Sequence, residues 1–205
     1  MLRVGLTGGV ACGKSTVGAM LARRGAHFLQ ADTLAHELYL PGTPVYDAVV
    51  RAFGIDVVRS DGLINRTALA NKAFPDRISE LNAIVHPAVI EAQNRWLTER
   101  EVEDPEGIAV LEAALLIEAG AAKDFDKLIV VTCSFEQKVE HYAHRAGVSV
   151  EAARREVERR SAAQFSDEQK AEHADYVIDN SGTLEETERQ VERVWVEMKQ
   201  LAISN

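Results

Sequence analysis

The chain has 205 residues, of which 46% are hydrophobic and 27% charged, and its formal net charge at pH 7 is −9. This length suits one α/β domain with small insertions. An acidic chain is not expected to coat nucleic acid, because that work needs a basic surface. The sequence has no run of about 18 apolar residues, so no membrane-spanning helix is expected. The only two cysteines, Cys12 and Cys133, cannot form a disulfide framework, which favours a reducing, cytoplasmic compartment.

The chain opens with a strand–loop–helix pattern. Residues 2–7 predict a buried strand, and residues 15–24 predict a helix with Val17, Met20 and Leu21 on one face. The segment between them fits the pattern GxxxxGKS followed by threonine. It consists of Gly8, Gly9, Val10, Ala11, Cys12, Gly13, Lys14, Ser15 and Thr16.

Each part of this loop has a chemical reason. Glycines let successive N–H groups surround a phosphate, and the helix that follows adds partial positive charge at its N-terminus. Lys14 is expected to reach the β- and γ-phosphates, and the Ser15 hydroxyl to ligate Mg²⁺. We therefore predict that all nine residues form a P-loop that binds ATP with Mg²⁺. A GTPase would also need a guanine-reading Asn/Thr-Lys-x-Asp segment, and the sequence has none.

The rest of the chain alternates between helical and strand patterns. A second strand is predicted at residues 27–32, ending in Asp32. Helical patterns then occupy residues 33–40, 44–53, 66–73, 76–84 and 87–100, with His86-Pro87 as the junction between the last two. Residues 101–107 are expected to form a charged loop. Strand patterns return at residues 108–112, 127–133 and 176–180, and charged helical patterns occupy residues 134–173 and 183–201.

Short apolar strands that alternate with helices indicate an α/β fold. With the P-loop, we predict a P-loop NTPase-type parallel five-stranded sheet with helices on both faces. Residues 1–205 are expected to form one domain whose core comprises residues 1–32, 101–133 and 174–205. The helical insertion at 33–100 is interpreted as a substrate subdomain, and the segment 134–173 as a lid.

Several short segments beyond the loop recur in a characteristic order. They include Ala31-Asp32, the run LNAIVHP at 81–87, Leu115-Leu116 with Glu118, Arg160 with Gln164, Lys170, and the run ADYVIDN at 174–180. Together with the loop, their order and spacing resemble the dephospho-CoA kinase family over nearly the whole chain. The resemblance implies transfer of the γ-phosphoryl group of ATP to the ribose 3′-hydroxyl of dephospho-CoA, the last step of coenzyme A synthesis. ATP and dephospho-CoA are therefore the expected partners, Mg²⁺ is the expected cofactor, and no nucleic-acid or membrane partner is expected.

The resemblance also implies catalytic roles for single residues. Asp32 would accept or orient the proton of the acceptor hydroxyl, although by itself an aspartate there could equally cap the next helix. Lys14, Arg145 and Arg160 would stabilise the charge on the transferring phosphoryl group. The alternative for the arginines is a solvated helix face with salt bridges to neighbouring glutamates. Arg154, Arg155 and Arg159 are interpreted as surface residues of that kind.

Other residues would bind the metal or the acceptor. By the resemblance, Glu112 could hold Mg²⁺ through water, and Arg66 and His86 would contact the acceptor. The alternative for His86 is a structural role at the helix junction. The chain departs from the usual family pattern at Gln30, His36, Glu112 and Glu140, where aspartate, arginine, aspartate and a basic residue are expected respectively.

Two rival functions remain at this stage. One is another small P-loop kinase for a nucleoside or nucleotide, and the other is a nucleotide-binding module without turnover. A further expectation concerns Cys12, which precedes a helix N-terminus and lies two residues from Lys14. Both features favour a thiolate, so the sequence predicts a lowered pKa and a reactive thiol at Cys12 and a slowly reacting thiol at Cys133. The alternative for Cys12 is a small residue that only fills a tight turn.

Overall fold

The computed structural model describes residues 1–204, which contain a parallel five-stranded sheet. Its strands are β1 (Leu2–Gly8), β2 (His27–Gln30), β3 (Ile108–Glu112), β4 (Lys127–Thr132) and β5 (Tyr176–Asp179), in the order β2-β3-β1-β4-β5. The predicted fold class and all five strands are confirmed. The predicted end of β2 at residue 32 is wrong, because the strand stops at Gln30 and a helix begins at once.

Nine α-helices are formed within residues 1–204. They are α1 (Lys14–Arg23), α2 (Ala31–Leu38), α3 (Pro44–Phe53), α4 (Arg66–Ala73), α5 (Ile78–Glu103), α6 (Phe135–Ala146), α7 (Val150–Ser161), α8 (Asp167–Ala171) and α9 (Leu184–Ser204). The predicted junction at His86-Pro87 is wrong, because α5 continues through Pro87. Proline has no N–H, so the Ala83 carbonyl lacks its helical hydrogen-bond donor. Pro87 and Ala83 are both exposed, so water can replace this hydrogen bond. The predicted loop at 101–107 is shortened because α5 reaches Glu103.

The first of two compact units comprises residues 1–30 and 100–204 and carries the sheet. β1 is the central strand, so Leu2, Val4 and Leu6 are buried between helices. The residues that pack with them include Val17, Met20 and Leu21 of α1 and Val191 and Met198 of α9. The predicted apolar face of α1 therefore packs on the sheet. This packing holds in place the helix that directly follows the P-loop turn.

The second compact unit comprises residues 31–99 and is helical. Its own core is built around Val45, Val49 and Phe53 of α3, with Leu69 and Ala73 of α4. Thr43 caps α3 by accepting from the Tyr46 amide, and Asn65 caps α4 by accepting from the Ala68 amide. The division into core, substrate subdomain and lid stays a prediction. No helix within residues 1–204 is long and apolar enough to cross a membrane.

A buried ion pair joins α8 to the segment that follows β3. The Lys170 ammonium, which is fully buried, donates to Glu118 Oε1 at 2.8 Å and to the Ala114 carbonyl at 2.9 Å. Glu118 Oε1 also accepts from the Phe165 amide at 2.9 Å. Although burial raises the pKa of Glu118, the hydrogen bonds from Lys170 and Phe165 outweigh it and leave that pKa below its ordinary value.

We expect Lys170→Met to destabilise the protein by about 3 kcal/mol at pH 7, because it leaves the Glu118 carboxylate without its buried partner. The measurement is urea unfolding, with the exposed Lys123→Met as the control. A carboxylate with a lowered pKa stabilises the fold near neutral pH, and this contribution is lost as the pH falls through the folded pKa. The difference between wild type and Lys170→Met should therefore shrink in acid. Equal urea midpoints at pH 7 would contradict the role assigned to this pair.

Candidate active site

The P-loop turns sharply between the end of β1 and the start of α1, and two glycines make the turn possible. Gly13 has a φ of +93°, and a Cβ built there would lie 2.1 Å from Asn180 Nδ2. Gly8 has a φ of +152°, and its Cβ would lie 2.2 Å from the Val131 carbonyl oxygen. Only glycine fits at either position, so these glycines of the motif are required by packing as well as by backbone conformation.

Two side chains from elsewhere in the fold, and the loop's own Lys14, bind carbonyl oxygens of the loop. His141 Nδ1 of α6 lies 3.0 Å from the Ala11 carbonyl, and Asn180 Nδ2 donates to the Cys12 carbonyl at 3.0 Å. The Lys14 ammonium donates to the carbonyls of Gly8 and Gly9 at 3.1 and 2.8 Å. These carbonyls are satisfied within the protein. The N–H groups of the loop that do not already donate internally, as those of Cys12 and Thr16 do, can bind an anion.

Asn180 is itself held in a buried network. Thr187 of α9 donates its hydroxyl hydrogen to Asn180 Oδ1 at 2.8 Å, and both side chains are buried. This hydrogen bond fixes which way the amide points, so Asn180 Nδ2 faces the loop. The sequence analysis included Asn180 in the ADYVIDN segment but did not assign it this role.

An ion pair that the sequence analysis missed lies against Gly9. Lys138 of α6 and Asp167 of α8 are 2.6 Å apart, and their side chains are only 11% and 18% exposed. A Cβ on Gly9 would lie 2.8 Å from Asp167 Oδ1 and 3.0 Å from Lys138 Nζ. The pair thus packs against the P-loop and joins α6 to α8. Nothing in the local sequence marks it, because its members are 29 residues apart.

A cavity of about 330 Å³ opens beside the loop. Its lining includes the loop and α1 residues Gly13, Lys14, Ser15 and Thr16, together with Glu112, Gln137, His141, Arg145, Asn180, Gly182 and Leu184. The cavity therefore brings together seven predicted site residues of the first unit: Ala11, Gly13, Lys14, Ser15, Thr16, Glu112 and Arg145. Arg160 is not among the lining residues.

Glu112 is oriented by a residue on the neighbouring strand. Gln30 is the register partner of Glu112 between β2 and β3, and its Nε2 donates to Glu112 Oε2 at 3.0 Å. Both positions depart from the family pattern stated above. The amide of Gln30 can donate a hydrogen bond to the carboxylate of Glu112. Two carboxylates in contact could form a hydrogen bond only if one of them were protonated. Within residues 1–204 no group of three or more His, Cys, Asp or Glu residues is arranged to hold a metal ion.

The two predicted lid arginines lie on the same aromatic ring. The guanidinium groups of Arg145 and Arg160 are each 5.5 Å from the centre of the Tyr142 ring. Arg160 also forms an ion pair with Glu156 at 2.6 Å, and Arg159 binds the same carboxylate, which lowers the pKa of Glu156 to about 2. Arg160 thus forms an ion pair with a neighbouring glutamate, as expected if the arginines belong to a solvated helix face. Arg145, in contrast, lines the cavity.

Arg154 makes surface contacts of the kind predicted for it. It forms an ion pair with Glu136 and packs over the Phe135 ring at 5.2 Å. Its side chain is 40% exposed, so this pair contributes little to stability.

The remaining predicted site residues belong to the second unit. Asp32 is exposed and is the second residue of α2, so it lies within the first turn rather than at the N-cap that precedes it. The capping alternative for Asp32 is therefore wrong. Arg66, the first residue of α4, contacts His36 of α2. His86 is exposed in the middle of α5, away from the end of any helix.

The expectation of a lowered pKa at Cys12 is wrong. Cys12 is fully buried, and burial raises the pKa of its thiol, outweighing the opposite effect of the nearby Lys14 ammonium. Burial likewise raises the pKa of Cys133, to about 11. The sequence reveals the helix N-terminus and the neighbouring lysine, but it does not reveal the packing around the sulfur atom, which has the larger effect.

The chain is similar to proteins of one family. A family model described as dephospho-CoA kinase matches residues 2–186. The dephospho-CoA kinase of Geobacter metallireducens is 44% identical over 96% of either chain, and that of Aquifex aeolicus is 42% identical over 97% of this chain and 98% of its own. Among solved structures, TT1252 from Thermus thermophilus superimposes with a TM-score of 0.77 and 32% identity, covering 96% of this chain and 97% of that one.

We expect both cysteines to resist alkylation in the native protein at pH 8, because burial shields the sulfur atoms and the raised pKa values keep them protonated. Iodoacetamide modification followed by mass spectrometry measures this. The same reaction in urea is the positive control and should label both residues. Rapid labelling of Cys12 in the native protein, if Mg-ATP prevented it, would contradict this expectation and support a reactive thiol at Cys12.

Proposed function

Because this chain belongs to the dephospho-CoA kinase family and is therefore an ATP-dependent kinase of the last step of coenzyme A synthesis, we propose that it transfers the γ-phosphoryl group of ATP to the ribose 3′-hydroxyl of dephospho-CoA. The observation that carries the proposal is the family match over residues 2–186, which includes the whole P-loop. The P-loop of this chain, with its carbonyl oxygens bound by protein donors, supports ATP as the phosphoryl donor.

The P-loop residues Gly8 to Thr16 bind the ATP phosphates in this proposal. The backbone N–H groups of the loop and the start of α1 bind phosphate oxygens, and the Lys14 ammonium lies at the same loop. The Lys14 charge then offsets the negative charge that the β- and γ-phosphates carry during transfer. Arg145, which lines the same cavity, supplies a second positive charge. Arg160 reaches the phosphates only if it leaves Glu156.

The donor set at the cavity fits Mg²⁺, which prefers oxygen ligands and keeps several waters. The Ser15 hydroxyl and the Glu112 carboxylate both line the cavity, and they would hold the ion directly and through water respectively. Bound Mg²⁺ would neutralise part of the charge on the phosphate oxygens. Gln30 supports this arrangement because its amide orients Glu112.

Asp32 acts on the acceptor hydroxyl in this proposal. Its carboxylate is exposed in the first turn of α2, and it is an acceptor for the hydroxyl proton. By accepting or orienting that proton, Asp32 makes the 3′-oxygen a better nucleophile towards the γ-phosphorus. Arg66 contributes to acceptor binding. His86 is retained as a proposed acceptor contact, and its exposure on α5 leaves it accessible.

We expect dephospho-CoA to stimulate ADP release strongly, with coenzyme A as the product, whereas AMP and adenosine should do so weakly or not at all. A coupled ADP-release assay with mass spectrometry of the product measures this. The same assay separates the rival functions. Equal turnover of AMP would identify a nucleotide kinase, and no acceptor-dependent ADP release would identify a binding module without turnover.

We expect Lys14→Ala to weaken ATP binding and abolish turnover, because it removes a positive charge from the phosphate site. Asp32→Asn should leave ATP binding near normal and lower kcat by about 10²-fold, which is the usual scale for a positioned base. The matched control is Asp47→Asn, since Asp47 is also an exposed carboxylate in the first turn of a helix of the second unit. A near wild-type kcat for Asp32→Asn would remove Asp32 from the mechanism.

A further inference from the structure

Ala11, in the P-loop, has a backbone conformation that is unusual for an alanine. Its φ is +54°, and among the non-glycine residues of 1–204 it alone has a positive φ. In this left-handed region the Cβ of an L-residue lies too close to the following carbonyl oxygen. An unconstrained alanine therefore favours negative φ, by about 5- to 30-fold in the equilibrium constant. Contacts with the rest of the protein must hold Ala11 in the left-handed conformation.

The conformation of Ala11 matters because the P-loop binds phosphate with its backbone. A left-handed residue next to a right-handed one turns successive N–H groups towards the same side, which forms a concave anion site. Ala11 also lines the cavity of about 330 Å³ beside the loop. An ordinary negative φ at Ala11 would turn neighbouring N–H groups away from that common direction.

The first contact that holds Ala11 is apolar. Ala11 is buried and packs in a cluster with Val10 of the loop, Val139 of α6, and Ala153 and Val157 of α7. A glycine at this position would lack the methyl group. The alanine thus adds apolar contact between the loop and the two helices, although its backbone is strained.

The second contact is a hydrogen bond from α6. His141 Nδ1 lies 3.0 Å from the Ala11 carbonyl oxygen, and since a carbonyl oxygen can only accept, Nδ1 carries the hydrogen. Rotation about φ moves the methyl group and the carbonyl of Ala11 together, so the cluster and His141 both resist a return to negative φ. His141 is exposed and lines the cavity. Its hydrogen bond can therefore be removed by substitution without opening the apolar cluster.

We propose that His141 is a positioning residue of the phosphate site, which holds Ala11 in the left-handed conformation and so keeps the loop ready to bind ATP. The proposal rests on the proposed function, in which ATP is the phosphoryl donor. Without the hydrogen bond, the loop of some free protein molecules has a conformation that does not bind phosphate. The apparent Kd for ATP then rises by the inverse of the fraction that remains competent.

The test is the Kd of Mg-ATP from isothermal titration calorimetry, together with steady-state kinetics of the same variants. His141→Leu removes the donor and should raise the Kd for Mg-ATP by about 3- to 10-fold, the scale of one hydrogen bond. Its kcat and its KM for dephospho-CoA should stay within about twofold, because the loop regains its conformation once ATP is bound. The matched control is His144→Leu, since His144 is an exposed histidine of the same helix outside the cavity lining. Its Kd should equal that of wild type.

A second substitution distinguishes positioning from a direct contact between His141 and the nucleotide. Glycine adopts positive φ about as readily as negative φ, so a loop with Ala11→Gly needs less support from His141. In the Ala11→Gly background, His141→Leu should therefore raise the Kd by less than about twofold. A direct contact would be lost equally in both backgrounds.

Two amide substitutions identify the nitrogen atom involved. His141→Asn places an amide N–H close to the position of Nδ1, whereas His141→Gln places one close to the position of Nε2. His141→Asn should therefore restore most of the ATP affinity that His141→Leu loses, and His141→Gln should not.

Three results would overturn the proposal: an unchanged Kd in His141→Leu, an equal loss in the Ala11→Gly background, or rescue by His141→Gln rather than His141→Asn. A thermal melt of each variant shows whether it is folded at the temperature of the titration. Failure of the proposed function is a separate result, because it would appear as wild-type protein that binds Mg-ATP but does not phosphorylate dephospho-CoA. The titrations need no acceptor, so they test His141 in either case.

Discussion

The site depends on hydrogen bonds that the P-loop receives at its carbonyl oxygens. A loop of this kind binds phosphate with its amides, so its carbonyls need other donors. Here the donors are His141 from α6, Asn180 from the segment after β5, and Lys14 from α1 itself. The lack of a side chain at Gly13 then lets Asn180 approach closely. The motif is thus the visible part of a larger arrangement in which residues distant in sequence set the conformation of the loop.

Much of the fold could be predicted because its signals are local. Apolar runs marked all five strands, and the predicted apolar face of α1 is buried. The wrong predictions concern residues whose structure or pKa depends on packing or on contact with solvent. Pro87 predicts a break between two helices, yet α5 continues through it, because water can replace the missing hydrogen bond on an exposed helix face. Cys12 reads as an activated thiol because its sequence neighbours favour a thiolate, but burial, which those neighbours do not encode, has the larger effect on its pKa.

The residues of the candidate site also differ in whether the sequence could predict them. The P-loop residues could be predicted from their motif, and Glu112 and Arg145 from the family resemblance. The Lys138–Asp167 pair and the Thr187–Asn180 hydrogen bond could not, because each joins separate elements of the fold. The resemblance marked Gln30 and Glu112 as two separate departures. In the structure they are register partners joined by a hydrogen bond, so they form one altered pair at the edge of the cavity.

The link between Asn180 and the Cys12 carbonyl joins residues that are 168 positions apart. During synthesis the P-loop leaves the ribosome before Asn180 and the α9 residue Thr187 do. Contacts of such long range form late, because the intervening chain must first be ordered. The nascent chain therefore carries the complete motif before the residue that donates to the Cys12 carbonyl has been made. The full set of hydrogen bonds on the P-loop carbonyls therefore forms only once β5 and the start of α9 have joined the fold.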